Sequence, residues 1–258
     1  MIGIEYAAYG LCAVLAVLLV YHYDLYDREP WYLLLAAILI GAAVMRLLGR
    51  VEDAMIATLA GAAPSPLTPA LVAASLEEGA RLVIVALVAV LVPRVFNDPM
   101  DGLIYGSIAG IGMALEESWA VVSQQPDGSL SAVELVRLSG HLTMGGITGF
   151  GVGLIKRRGA RPWQWVLPLT ACVVGAILLH FLWDVSAISQ DLSGGLALWP
   201  ALAASAVMPT GMGVYGALVA TGVKWSRRVF APRSRRSIWG WPFNHLRRSH
   251  SHRDSGRS

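Results

Sequence analysis

Eight ionisable side chains sit in stretches otherwise apolar enough for lipid: Glu77, Glu78 and Arg81 in "SLEEGARLVIVALVAVLV", Glu116 and Glu117 in "GIGMALEESWAVV", His141 in "LSGHLTMGG", and His180 and Asp184 in "AILLHFLWDV". One charge at the centre of a spanning helix costs about 2.5–3.5 kcal/mol on insertion scales, so such residues default to function or to mutual pairing. The residue types allow two related hydrolytic chemistries. A glutamate can act as general base on water while a histidine stabilises the oxyanion of a tetrahedral intermediate. Two histidines and a glutamate can instead hold zinc with an open position, leaving another glutamate as base. Either hydrolyses a peptide bond. No intramembrane serine has an evident histidine partner, no intramembrane Asp pair is present, and the His-Glu-x-x-His motif is absent.

Roles follow from type and spacing. One of Glu77 and Glu78 activates water, and His141 and His180 stabilise the oxyanion or bind zinc. Glu117 is a second base, an orienter, or a ligand, which makes Glu117, His141 and His180 the candidate metal set. Asp184, one turn from His180, orients that ring. Arg81 is read as a structural ion-pair partner of Glu77 (i+4) or Glu78 (i+3). Adjacent helical residues point about 100° apart, so one glutamate is expected on Arg81 and the other toward the cavity. Glu116 is read as a packing or pairing residue. A membrane transporter or proton relay would use the same Glu/His layer differently, with charges staggered through the whole membrane depth.

These residues need helices to carry them. The chain of 258 residues is 55% hydrophobic and 14% charged, a membrane-protein composition. We read an all-α polytopic membrane protein with seven spanning helices over 4–22, 31–48, 68–93, 99–123, 133–155, 163–188 and 196–223. Residues 50–62 form a short interfacial or re-entrant piece, and the count becomes eight if they cross. At about 1.5 Å per residue, Glu77/Glu78, Glu117, His141 and His180 all lie roughly 10–15 Å from a helix end. Because successive helices alternate direction, those ends share one side, and the four sites share one layer. Gly102, Gly106, Gly110 and Ala114 form an i+4 row ending near Glu117; His141, Gly145, Gly149 and Gly153 form another. Small-residue rows bring helix backbones together, so the fourth and fifth helices are expected to be central.

Charge sets direction. "KRRGAR" (156–161) and the segment from Lys224 to the end, with ten Lys/Arg and one acid, Asp254, fall on the same side of a seven-helix chain. The positive-inside rule makes that side cytoplasmic and puts the N-terminus outside. Residues 1–223 are thus the membrane domain, and 224–258 a basic, disordered cytoplasmic tail suited to anionic lipid rather than to specific nucleic acid. Cys12 and Cys172 lie in apolar runs and form no disulfide framework or metal motif.

The stretches "EEGAR", "MDGLIYGSIAGIGMALEESW", "GHLTMGGITGFGVG" and "LLHFLWD" resemble, in order, the four motifs of the PrsW family of intramembrane proteases. "YDREPWYLLLAAILIG" resembles that family's Asp-x-x-x-Pro lead-in to the second helix. PrsW proteins are in turn distantly similar to the CAAX prenyl-protease group. The resemblance spans roughly residues 22–190. It implies a bundle of four motif-bearing helices and an endopeptidase in a bacterial plasma membrane. It further implies membrane-anchored substrates such as anti-sigma factors, and a metalloprotease label with zinc as the metal. By position, Glu77 and Glu78 match the first motif, Glu117 the second, His141 the third, and His180 and Asp184 the fourth. The chain departs from the pattern at Arg81, where lysine is usual, and at Met113 and Ser118.

Overall fold

The structure is a computed structural model, and it describes residues 2–59, 65–125, 130–156, 161–194 and 198–230. Seven α-helices make up the described residues: α1 (Ile2–Tyr23), α2 (Trp31–Leu59), α3 (Leu67–Leu91), α4 (Pro99–Ser123), α5 (Val133–Gly153), α6 (Trp163–Leu192) and α7 (Leu198–Phe230). Four of them, α1, α2, α6 and α7, are long and apolar enough to cross a membrane by length and composition. The motif residues sit on α3, α4, α5 and α6. Leu11, Leu39, Leu87, Leu167 and Leu178 are more than half exposed on the outside of the bundle, a surface that suits lipid.

One sequence expectation changes. The separate piece expected over 50–62 is, through Leu59, the continuation of α2, which runs 29 residues without a break. Nothing in "LLGRVEDAMIATL" stops a helix, since the prolines come only from Pro64 onward. Residues 60–64 lie outside the described residues. The end of α7 likewise reaches Phe230, so the basic segment begins as helix at Lys224. Its remainder from 231, and most of "KRRGAR", lie outside the described residues.

α4 is the hub, buried along most of its length. A capping box starts it. Asp98 accepts from the Met100 and Asp101 amides at 2.6 and 3.2 Å, and Asp101 accepts from the Asp98 amide at 2.8 Å. Pro99 occupies the first turn, where no amide hydrogen is needed. From there α4 packs backbone to backbone against α5. A Cβ on Gly102, Gly106 or Gly110 would collide with the carbonyl oxygens of Gly149, Gly145 and His141 respectively. Each step of four up α4 thus meets a step of four down α5, an antiparallel register in which both glycine rows serve as contact surface. On another face of α4, Gly112 meets the Ile38 carbonyl of α2, and Gly41 of α2 meets the Ala109 carbonyl. α1 and α7 are tied to the hub by hydroxyl pairs, Tyr9–Ser118 at 2.8 Å and Ser107–Tyr215 at 3.0 Å.

The α1–α2 loop docks on the start of α4. Asp24 accepts from the amides of Asp27, at 3.2 Å, and Glu29, and Tyr105 donates to Glu29 at 2.5 Å. Burial, then the neighbouring Glu29 charge, push the Asp24 carboxyl up to about 8. Burial pushes Glu29 up to about 7.

Two expectations follow. Gly106→Ala should cost about 1–3 kcal/mol of stability, whereas Gly175→Ala, with open space around its Cβ, should gain up to about 1 kcal/mol; thermal melting in detergent compares them. The loop carboxyls bind their protons more tightly in the folded state than in the unfolded one. Their contribution is therefore full below the ordinary carboxylate range and is lost as pH rises toward about 8. Melting temperatures measured from pH 5 to 9 should fall with pH, and Asp24→Asn should flatten the slope.

Candidate functional site

The glycine contact decides where α4 and α5 put their polar side chains. Carrying the register one turn past Gly110–His141 sets Ala114 opposite Arg137, and Glu117 projects into the space between Arg137 and His141. Glu117 Oε2 lies 2.8 Å from His141 Nε2, and Glu117 Oε1 lies 3.1 Å from Arg137 Nε. Arg137 also pairs with Glu134 on its own helix. The missing side chain at Gly145 leaves room for the Arg81 stem, whose Cδ would be 3.5 Å from a Cβ there.

Arg81 is fully buried and reaches three acceptors. Its Nη1 donates to Glu78, and its Nη2 donates to Glu77 Oε2 at 2.9 Å and to His141 Nδ1 at 2.7 Å. The expectation that only one of the two glutamates meets Arg81 is therefore corrected. The guanidinium fork is wide enough to bridge side chains that leave the helix about 100° apart. The two carboxylates still differ in their other neighbours. Glu78 accepts from Thr148 at 3.1 Å and lies 3.1 Å from His180 Nδ1. Glu77 points between the rings, with Oε2 at 3.8 Å from His141 Nε2 and 3.9 Å from His180 Nε2. Asp184, half-buried one turn beyond His180, lies 3.4 Å from its Nε2. The two imidazoles stand edge to face with centroids 5.8 Å apart.

The structure thus gathers Glu77, Glu78, Arg81, Glu117, His141, His180 and Asp184 at one place. Glu116 is turned away and pairs at 2.7 Å with the exposed Arg46 of α2. Two participants escape sequence reasoning. Arg137 is signalled by its position, one turn before His141 on the same face of α5. Thr148 is signalled by lying two turns after His141, also on that face.

Ligand atoms of Glu77, His141 and His180 lie within 4.8 Å of one another, all three residues buried. A carboxylate with two imidazoles suits a divalent cation in kind and in spacing. Glu78 at Nδ1 of His180 is the outer carboxylate that leaves Nε2 with its lone pair free to ligate. His141 is presented otherwise. A guanidinium can only donate, so His141 Nδ1 accepts from Arg81 and the neutral ring carries its proton on Nε2, beside Glu117. Of the candidate metal set Glu117, His141 and His180, the two histidines belong to this grouping. Glu117 stands against the outer side of His141, and Glu77 holds the acidic place.

The family model of PrsW family intramembrane metalloproteases matches residues 29–214, a span that contains every residue of the site. No curated protein matches, and no solved structure matches.

Replacing Arg81 by Met should strand Glu77 and Glu78 without a buried counter-charge and cost about 3–5 kcal/mol. Arg81→Lys, one charge without the fork, should fall between wild type and Met. Melting temperature of the purified protein ranks the three.

Proposed function

Since the chain belongs to the PrsW family of intramembrane metalloproteases, we propose that it hydrolyses a peptide bond of membrane-anchored proteins at the Glu77–His141–His180 centre. Regulators of the anti-sigma-factor type are the substrate class. One observation carries the reading: helices far apart in sequence bring a carboxylate and two imidazoles within 4.8 Å, buried inside an apolar bundle.

Glu77 and His180 would hold a divalent cation, joined by His141 Nε2 once that nitrogen passes its proton to the adjacent Glu117, with zinc as the choice that suits two imidazoles and a carboxylate. Such an ion supplies Lewis-acid polarisation of the scissile carbonyl and of water. The chain's own groups do the rest. Glu117 borders the centre with a buried Oε2 beside His141 Nε2, where it can take a proton from water and deliver it to the leaving amine. Arg137 holds the other oxygen of Glu117 and keeps the carboxylate facing His141. Glu78 fixes the His180 ring at Nδ1, and Asp184 lies 3.4 Å from its Nε2, one turn away. Arg81 neutralises the first-motif glutamates without entering the space between the rings. The surrounding apolar helices exclude bulk water, which strengthens each of these electrostatic contacts.

A transporter or proton relay needs ionisable groups along the depth of the bundle. Residues 82–93 of α3 and beyond, 106–115 of α4, 142–153 of α5 and 163–179 of α6 carry no Asp, Glu, His, Lys or Arg. This argues against a proton path between the site and the opposite end. The positive-inside rule supports a topology with the site layer in the outer half, the C-terminus cytoplasmic and its basic segment on anionic lipid.

Reconstituted with a single-span reporter substrate, wild-type protein should cleave. Glu77→Gln and His180→Ala should each lower the rate by about 10²-fold or more, and a chelator should inhibit with recovery on adding zinc. Cleavage within twofold of wild type in either variant sinks the assignment of the centre.

A further inference from the structure

The continuation of α2 past residue 50 brings one more carboxylate to the site. Glu52 is 9% exposed, and its Oε1 is fully shielded with no hydrogen-bond donor among the described residues. The charged groups acting on it are Glu117, His180 and Asp184 of the site, together with its neighbour Asp53. It acts in turn on Glu77. Glu52 therefore faces the same centre from a fifth helix, outside the four motifs.

The donors around the centre are already engaged. Arg81 serves Glu77, Glu78 and His141. Arg137 serves Glu117 and Glu134. His180 stands between Glu78 and Asp184. A buried acceptor with no donor loses its hydration without replacement, and native proteins tolerate few such atoms. Among the described residues nothing supplies that donor, and one from outside the chain would complete it. A spanning substrate must unwind at the bond to be cut, and unwinding frees backbone N–H groups that no water in the bilayer satisfies.

We infer that Glu52 is a substrate-binding residue whose buried carboxylate oxygen accepts a backbone N–H of the unwound segment beside the scissile bond. The inference rests on the proteolytic reading above. It assigns α2 a direct part in recognition: α3, α4, α5 and α6 supply the reacting centre, and the end of α2 holds the substrate strand against it. An acid suits this place because an amide N–H beside a carboxylate makes a charge-assisted bond, stronger than one to a neutral acceptor.

The test compares Glu52→Gln and Glu52→Ala in the full chain by two readouts. The first is the melting temperature without substrate. Removing an unpaired buried charge should leave Glu52→Gln as stable as wild type or more so. A clear drop would mean that Glu52 is paired in the free protein, and would overturn the inference. The second is cleavage kinetics on a single-span reporter in proteoliposomes. Glu52→Ala should raise KM by about tenfold, the loss of one such hydrogen bond, with kcat little changed. Glu52→Gln, whose amide oxygen still accepts, should recover most of the KM. An unchanged KM in Glu52→Ala, or a loss confined to kcat, overturns the inference while leaving the protease reading intact. Absence of cleavage by wild type overturns the protease reading and takes this substrate role with it.

Discussion

Arg81 donates to Glu77, Glu78 and His141 in a place no solvent reaches. Those acceptors come from two helices, so a single guanidinium fixes both the rotamers of the first-motif glutamates and the tautomer of the third-motif histidine. A lysine ammonium is a point charge on a flexible stem and cannot offer the same planar fork. The departure from the usual family residue at this position thus has a geometric content: one cation spans two carboxylates and an imidazole at once. The arrangement depends on the glycine contact between α4 and α5. A Cβ at Gly145 would collide with the Gly106 carbonyl, and one at Gly106 with the Gly145 carbonyl, so either would push α5 away from α4 and shift the helix against which the Arg81 stem lies.

Much of this was legible beforehand because the constraints were periodic. Two glycine rows at i+4 spacing gave the α4–α5 pairing, and the acid and histidine at their ends gave the site. Alternating helix direction placed Glu77, Glu117, His141 and His180 in one layer. The parts that were not legible depend on side-chain reach or on helix length. That one arginine could serve both Glu77 and Glu78 follows from the width of the guanidinium, which helical angles do not express. Glu52 was hidden because the polar run "RVED" after an apolar segment reads as a membrane exit. The backbone instead continues and carries Glu52 back over the site.

The ionisable groups fall at two ends of α4. Glu117 borders the Glu77–His141–His180 cluster, while Asp98 and Asp101 cap the first turn beside Asp24 and Glu29 of the α1–α2 loop. Between them, residues 106–115 are uncharged and almost wholly buried. The helix therefore separates two kinds of polar work. One end consumes its carboxylates in capping and loop docking, where Asp24, Asp98 and Asp101 have backbone amide partners and Glu29 has the Tyr105 hydroxyl. The other end keeps carboxylates facing histidines and each other, an arrangement of no obvious benefit to stability.

The antiparallel seam of glycines has a mechanical consequence. With carbonyl oxygens set where side chains would begin, α4 and α5 can neither slide by a fraction of a turn nor rotate against each other without steric collision. They behave as a single rigid rod carrying Glu117 and His141 at a fixed separation. A membrane helix seeking the site cannot part this pair. It has to gain admission past the helices that lean on the rod through larger, softer side chains, and Glu117 and His141 stay in alignment while it does so.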